Sequence, residues 1–355
     1  MFIWKDGLRA NLKVFSLSVF CESPYFIRQS WGILNISVSN QDFFCKRWSN
    51  MIYTLTLNPS LDYIIELNQV NIGELNRTKR ESKFPGGKGI NVSQVLKRLE
   101  VDSKALGFLG GFTGDYIENF LKSLKINTDF VRVNGDTRIN VKLKAEQETE
   151  INANGPSISK EDFEALKRRI RELSNEDTLV LAGSIPTTMP GTTYEELVKI
   201  CSEKGTRFVV DAEGDLLKKV IPYKPFLIKP NHHELGELFN TVISTCEEVI
   251  PYGRELVSMG AQNVIVSMAE KGAVFINQDS ALIASVPKGE VKSSVGAGDS
   301  MVAGFIATYE RTNSLEEAFR YSVAAGSATA FSLGLCSREK VESLLPQVQL
   351  EKKTS

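Results

Sequence analysis

From residue 52 onward the chain alternates short apolar runs with amphipathic stretches. Residues 52–57, 179–182, 208–210, 227–228 and 264–266 read as strands, rich in β-branched and aliphatic side chains. Between them, 161–173 and 194–203 repeat their apolar positions with the period of a helix that buries one face. Crossovers of this length connect parallel strands, so the pattern predicts an α/β fold with a mainly parallel sheet covered on both faces. The β-prone pieces 63–67 and 139–143 are not separated by long helices. They are expected to form a small β-sheet lid, about 62–84 and 137–152, inserted into one domain that spans 51–348. No heptad, internal repeat or low-complexity linker interrupts that domain, and 349–355 is expected to be a tail.

The first fifty residues follow no period and hold all three tryptophans, Trp4, Trp31 and Trp48. The apolar run 14–20 is short and Cys21-Glu22-Ser23-Pro24 is a poor cleavage signature, so a secretory signal does not fit. No run approaches the roughly 20 apolar residues of a membrane span. Residues 1–50 are expected to be a leader, an overlong start or disordered tail, with Met51 opening the working domain.

Composition narrows the chemistry. The 42 Lys and Arg nearly balance the 43 Asp and Glu, so no basic field spreads over the surface to hold nucleic acid, and anionic substrates must be met locally. The five cysteines are scattered and contain no C-x-x-C pair, against a disulfide framework or zinc site and in keeping with the cytoplasm. The two histidines, His232 and His233, have no ligand spacing around them and are expected to be solvated.

Two glycine clusters carry the sharpest signals. Val295-Gly296-Ala297-Gly298-Asp299-Ser300 precedes a helix-capable apolar run, and small residues at a helix start let backbone N–H groups converge on an anion. Taken alone, Asp299 reads equally as a helix cap in a glycine turn. Pro85-Gly86-Gly87-Lys88-Gly89-Ile90-Asn91 opens a second helix but is not a P-loop, because Lys88 is followed by glycine. By itself it is a tight turn beside a surface lysine.

Three weaker segments sit where ligands collect. Asn58-Pro59-Ser60-Leu61-Asp62 ends the first strand, and Asp62 can accept hydrogen bonds from sugar hydroxyls, although an Asx-Pro turn explains it as well. Residues 137–142 put Arg138, Asn140 and Lys142 on one face of a strand, either a phosphate grip or a solvated face. In Lys229-Pro230-Asn231, with Glu234 three residues on, an amide and a carboxylate can organise Mg²⁺ through water or form a helix start capped by Asn231.

Together, in this order, these segments resemble the ribokinase-like (phosphofructokinase-B) carbohydrate kinase family from Met51 to about Gln347. The resemblance implies a three-layer α/β fold with a β-sheet lid. Residues 58–62 and 137–143 are similar to its phosphosugar branch, the latter especially to bacterial 1-phosphofructokinases. This implies ATP- and Mg²⁺-dependent phosphorylation of fructose 1-phosphate at O6; a tagatose-6-phosphate or fructose-6-phosphate kinase and a catalytically dead sugar-phosphate sensor stand as alternatives. By the resemblance Asp299 is the base, while Gly296, Ala297 and Gly298 receive the charge on the transferring phosphate. Asp62, Gly86, Gly87 and Asn91 would hold the sugar, and Arg138 its phosphate with help from Lys88 and Lys142. Lys229, Asn231, Ser267, Gly272 and Ser294 fall on the nucleotide side, and Glu234 on the Mg²⁺ side. A homodimer through the lid is also implied. One position departs from the family: the turn Ser-Leu-Gly-x-x-Gly reads Ser267-Met268-Ala269-Glu270-Lys271-Gly272, so Ala269 stands where a glycine is usual. If that position needs positive φ, alanine costs on the order of 1 kcal/mol.

Overall fold

The computed structural model describes residues 50–353, so the leader reading of the N-terminal segment lies outside the described residues except at Asn50. Fourteen strands follow: β1 (Ile52–Thr56), β2 (Ser60–Glu66), β3 (Arg80–Gly86), β4 (Ser103–Leu109), β5 (Asn127–Arg132), β6 (Arg138–Lys144), β7 (Glu148–Asn152), β8 (Thr178–Ala182), β9 (Arg207–Asp211), β10 (Leu227–Ile228), β11 (Asn263–Ser267), β12 (Ala273–Asn277), β13 (Ala281–Ala284) and β14 (Leu350–Lys353). Ten of them form one sheet in the order β14-β13-β12-β11-β10-β9-β8-β1-β4-β5. Its strands run parallel from β11 to β5, and β12 to β14 are added antiparallel.

Alternation along single strands shows why both faces are covered. In β8, Leu179 and Leu181 face one core with Leu166, Ile170, Tyr194 and Leu197 from the helices Lys160–Arg171 and Thr193–Lys204. Val180 and Ala182 face the other, with Val92, Val95 and Phe305 from the helices Lys88–Arg98 and Ala297–Thr312. A strand buried on both sides reads as a continuous apolar run, which is what made it visible in the sequence. The predicted helices begin and end within two residues of those observed. Ser159 opens the first with a capping box to Asp162, and Gly205, at φ 72°, closes the second.

The lid is a separate four-stranded sheet, β3-β2-β6-β7. Its outer strands had no sequence signature. Every residue of β7 is exposed and most of β3 is polar, so neither needs an apolar face. The expected tail is corrected: Leu350–Lys353 pairs antiparallel with β13, Leu282 opposite Lys352, and forms the sheet edge. No helix of the described residues is long and apolar enough to cross a membrane.

Candidate active site

Strands β1, β8, β9, β10 and β11 run parallel and end on one edge of the sheet, where the order switches at β1 between β4 and β8. Ligands of open α/β sheets sit at such an edge. Here it forms a cleft of about 1310 Å³ whose floor holds Thr56, Asn58, Ser184, Asp211, Lys229 and Ser267. The lid supplies the facing wall through Ser60, Asp62, Arg138, Asn140, Glu150 and Asn152. Among the described residues, eight buried side-chain polar atoms lack a hydrogen-bond partner, and six of them belong to this cleft: on Thr56, Asn58, Arg138, Asn140, Asp211 and His232. Unsatisfied buried polar groups are rare in folded proteins, so their concentration marks a surface built for a polar ligand.

The two glycine clusters meet here. Gly296, at φ 78°, caps the helix Ala297–Thr312, and its carbonyl accepts the Ser300 N–H at 2.9 Å and the Ser300 Oγ–H at 2.8 Å. Ser300 Oγ lies 2.7 Å from Thr329 Oγ1, which in turn accepts the Cys336 N–H at 3.0 Å, so the turn is clamped to the neighbouring helix. Asp299 stands in the first turn, 6% exposed. Gly87, at φ 121°, caps the helix Lys88–Arg98, and Asn91 in that helix donates from Nδ2 to Asp299 Oδ2 at 2.8 Å. Burial pushes the Asp299 carboxyl up to about 6, with the negative Asp211 adding to it; the Asn91 hydrogen bond, Lys88 and Lys229 pull the other way. A carboxylate poised in that range, aimed into a cleft, suits a general base.

On the lid side, Asp62 Oδ1 accepts from Ser60 Oγ at 2.6 Å and from Asn140 Nδ2 at 3.3 Å. Gly86 does not line the cleft, but a Cβ there would lie 2.4 Å from Asp62 Oδ1, so glycine is what lets Asp62 take its place. Arg138 donates to the carbonyls of Asn58 at 3.0 Å and Ala153 at 3.1 Å, leaving its buried Nε without a partner. Lys142 is not among the cleft residues and pairs across the lid with Glu150 at 3.1 Å.

On the opposite side, Lys229 is 6% exposed and lies 3.7 Å from Asp211 Oδ2; a Cβ on Gly298 would stand 3.0 Å from its ammonium. Lys88 pairs with Asp211 and Glu213, both at 3.3 Å. Burial alone would lower the Lys88 ammonium, but Asp211, Glu213, Asp299 and Glu234 raise it well above its ordinary value, so it stays charged. Asn231 caps the helix His232–Phe239, its Oδ1 accepting the His233 and Glu234 N–H groups at 2.9 Å each, while Glu234 returns an oxygen to the Asn231 N–H at 2.7 Å. The capping reading of Asn231 is therefore realised, and Glu234 keeps one carboxylate oxygen outside that box. Burial raises the Glu234 carboxyl. Ser294 and the N–H of Ala297 share a turn, 3.2 Å from carbonyl to nitrogen. His232 differs from the expectation of a solvated ring: it lines the cleft with Nδ1 buried, its ring 3.9 Å from that of His233.

Ser267 bridges to Asn231, and the following turn places Ala269 at φ 51° and Gly272 at φ 111°. The departure from the family therefore has a conformational cost, since alanine sits in the left-handed region. Ala269→Gly is expected to stabilise the chain by about 1 kcal/mol, read as a higher urea midpoint with an unchanged m-value; an unchanged midpoint would show the turn to be relaxed.

Sequence reasoning missed Asp211, Glu213 and Ser184. The signal available was positional: Asp211 closes the apolar run of β9 at the edge where ligands bind. With a buried carboxyl pushed up in pKa, glycine turns at two helix starts, the buried Lys229 and the half-buried Lys88, the arrangement can deprotonate a hydroxyl beside an anionic group in transfer. Asp211 Oδ2 has no hydrogen bond and Glu234 one free oxygen, a donor set that fits Mg²⁺, which is held by one or two carboxylates, waters and substrate phosphates.

The chain matches the pfkB family carbohydrate kinase profile over residues 55–341. It is 54% identical to a 1-phosphofructokinase of Bacillus subtilis over 84% of this chain and 99% of that one. It is 40% identical to a D-tagatose-1-phosphate kinase of Bacillus licheniformis, again over 84% and 99%. Its fold superposes on phosphofructokinase-2 from Escherichia coli in complex with fructose-6-phosphate with a TM-score of 0.79, at 29% identity over 84% of this chain and 99% of that one. A cleft built around Asp299, and a family profile that covers both glycine clusters, lead to one conclusion: the chain belongs to the pfkB family of carbohydrate kinases.

Proposed function

We propose that the chain transfers the γ-phosphoryl group of ATP to O6 of fructose 1-phosphate, giving fructose 1,6-bisphosphate and ADP. The observation that supports this reading is the junction of Asn91 and Asp299, a buried carboxyl pushed up in pKa between the two glycine clusters of the cleft. Asp62 and Asn140 face the sugar hydroxyls, and the Arg138 guanidinium faces the phosphate that the sugar already carries. Asp299 takes the proton of the C6 hydroxyl as its oxygen bonds to the γ-phosphorus and the bond to the bridging oxygen of ADP breaks. The 296–298 turn, Lys88 and Lys229 meet the charge on the moving group, which is where such reactions are accelerated. The apolar end of the cleft, with Val291, Val323, Ala330 and Phe331, suits the flat face of adenine. When bound, Mg²⁺ would neutralise phosphate charge, and Asp211 and Glu234 are the residues that would hold it through its waters.

The naming of one relative as a D-tagatose-1-phosphate kinase favours a second reading with that acceptor. The test is kcat/KM of the full chain with Mg²⁺-ATP against fructose 1-phosphate, tagatose 1-phosphate, fructose 6-phosphate and tagatose 6-phosphate. At least about tenfold preference for fructose 1-phosphate, or 1.4 kcal/mol in the transition state, is expected; a preference for another acceptor removes this assignment and keeps the chemistry.

A homodimer through the lid belongs to the same proposal. Ile139 and Ile151 alternate with the cleft residues Arg138, Asn140, Glu150 and Asn152, so they lie on the lid's outer face, and they are 37% and 57% exposed. A second copy of that face would cover them. Sedimentation velocity is expected to return a dimer, and a monomer at micromolar concentration would end this part of the proposal.

A further inference from the structure

The ionisable groups at the meeting point of the cleft do not balance. Lys88 and Lys229 bring two ammonium groups and Asp211, Glu213, Glu234 and Asp299 four carboxyl groups, and all six line the cleft. The whole lining has the same sign, with Lys88, Arg138, Lys229 and Lys288 against Asp62, Glu150, Asp211, Glu213, Glu234, Glu270 and Asp299, so a site that takes polyanions is itself negative. Two of the carboxylates have structural or chemical work already: Asp211 is 2% exposed and holds both lysines, and Asp299 is the base. Glu234 returns an oxygen to the helix start. Glu213 has neither task. Its side chain is 64% exposed, it caps no N–H group of the helix Gly214–Val220, and among the described residues its one polar contact is the Lys88 ammonium at 3.3 Å.

We propose that Glu213 is a specificity-determining residue that makes the site accept metal-bound nucleotide and refuse metal-free ATP. It acts in two ways at once. Its carboxylate repels the extra negative charge of a bare triphosphate, and its grip on Lys88 makes such an anion compete for the ammonium that would receive it. A nucleotide that arrives with a divalent cation brings two positive charges against that surplus of carboxylates, so the same carboxylate opposes it far less. Two extra charges a few Å from one exposed carboxylate amount to a factor of about ten in affinity at water-like dielectric, less at high salt. The inference rests on the kinase reading of the cleft but not on which sugar phosphate is accepted.

The test is binding rather than turnover. ATP affinity of the full chain is measured by calorimetry at low salt, once with EDTA and once with Mg²⁺, for the wild type, Glu213→Gln and Glu213→Asp. Glu213→Gln is expected to tighten metal-free ATP about five- to tenfold while Mg²⁺-ATP changes less than twofold, and Glu213→Asp is expected to retain the wild-type discrimination. In Lys88→Met/Glu213→Gln the gain for metal-free ATP should shrink to that of charge repulsion alone. Equal shifts for both nucleotide forms, or none for either, would overturn the role of Glu213 and leave the kinase reading standing. Absence of ATP binding to the wild type in both conditions would overturn both.

Discussion

Asp299→Asn is expected to lower kcat by about a thousandfold, the scale of a lost general base, and to make the protein more stable at neutral pH. The second effect follows from where Asp299 sits. Burial and the neighbouring Asp211 hold its folded carboxyl near 6, above the roughly 3.9 of an unfolded aspartate. The folded state therefore binds the proton more tightly than the unfolded state. Stability is unaffected by this group below about pH 4, falls as pH rises through the interval, and is fully reduced above about pH 6. The reduction is on the order of 2–3 kcal/mol, and a neutral amide escapes it while keeping a partner for Asn91. A net gain of 1–2 kcal/mol at pH 8 that vanishes at pH 4, measured by urea unfolding at both values, is expected. Unchanged turnover would defeat the mechanism; equal stability at both pH values would defeat the electrostatic account. For the wild type, the acid limb of kcat/KM should fall near pH 6.

Asp211→Asn is expected to act in the opposite sense on stability. Lys229 is buried and Lys88 partly so, and Asp211 is the carboxylate they share. Removing one partner from such a group leaves charge without compensation, for a loss of about 3 kcal/mol. The same change removes a negative charge that holds the Asp299 carboxyl up. The acid limb of kcat/KM should therefore move below pH 6 even as the chain becomes easier to unfold. A limb that stays in place would mean that burial alone sets the base, with Asp211 a purely structural counter-charge.

The fold was legible because strands such as β8 and β9, buried on both faces, leave apolar runs separated by helix-period stretches. The glycine clusters were legible for a related reason: close approach excludes a Cβ, as at Gly86 against the Asp62 carboxylate and at Gly89 against the Leu55 carbonyl, and that restriction is written in the sequence. Lys142 shows where reading stops. Alternation along β6 assigns it to the face of Arg138 and Asn140, but the register places Glu150 of β7 opposite it, and no pattern within β6 announces that partner. Asp211 was missed because its importance comes from two lysines that lie 123 residues before it and 18 after it in the chain, brought together only by the sheet order. Ala269 was flagged from the sequence as a conditional strain, and its φ of 51° meets the condition.

The place of β1 has a consequence for how the protein is made. It is the strand beside which the sheet order switches, paired on one side by β4, about fifty residues later, and on the other by β8, whose approach begins with the Met51 N–H donating to Asp177, 126 residues away. At synthesis rates of about 5–20 residues per second, one flank of the central strand waits roughly 6–25 seconds for its partner, 126 residues on, to leave the ribosome. During that interval the nascent chain presents the apolar edge Ile-Tyr-Thr-Leu-Thr unpaired, and the yield of native enzyme depends on what shields it.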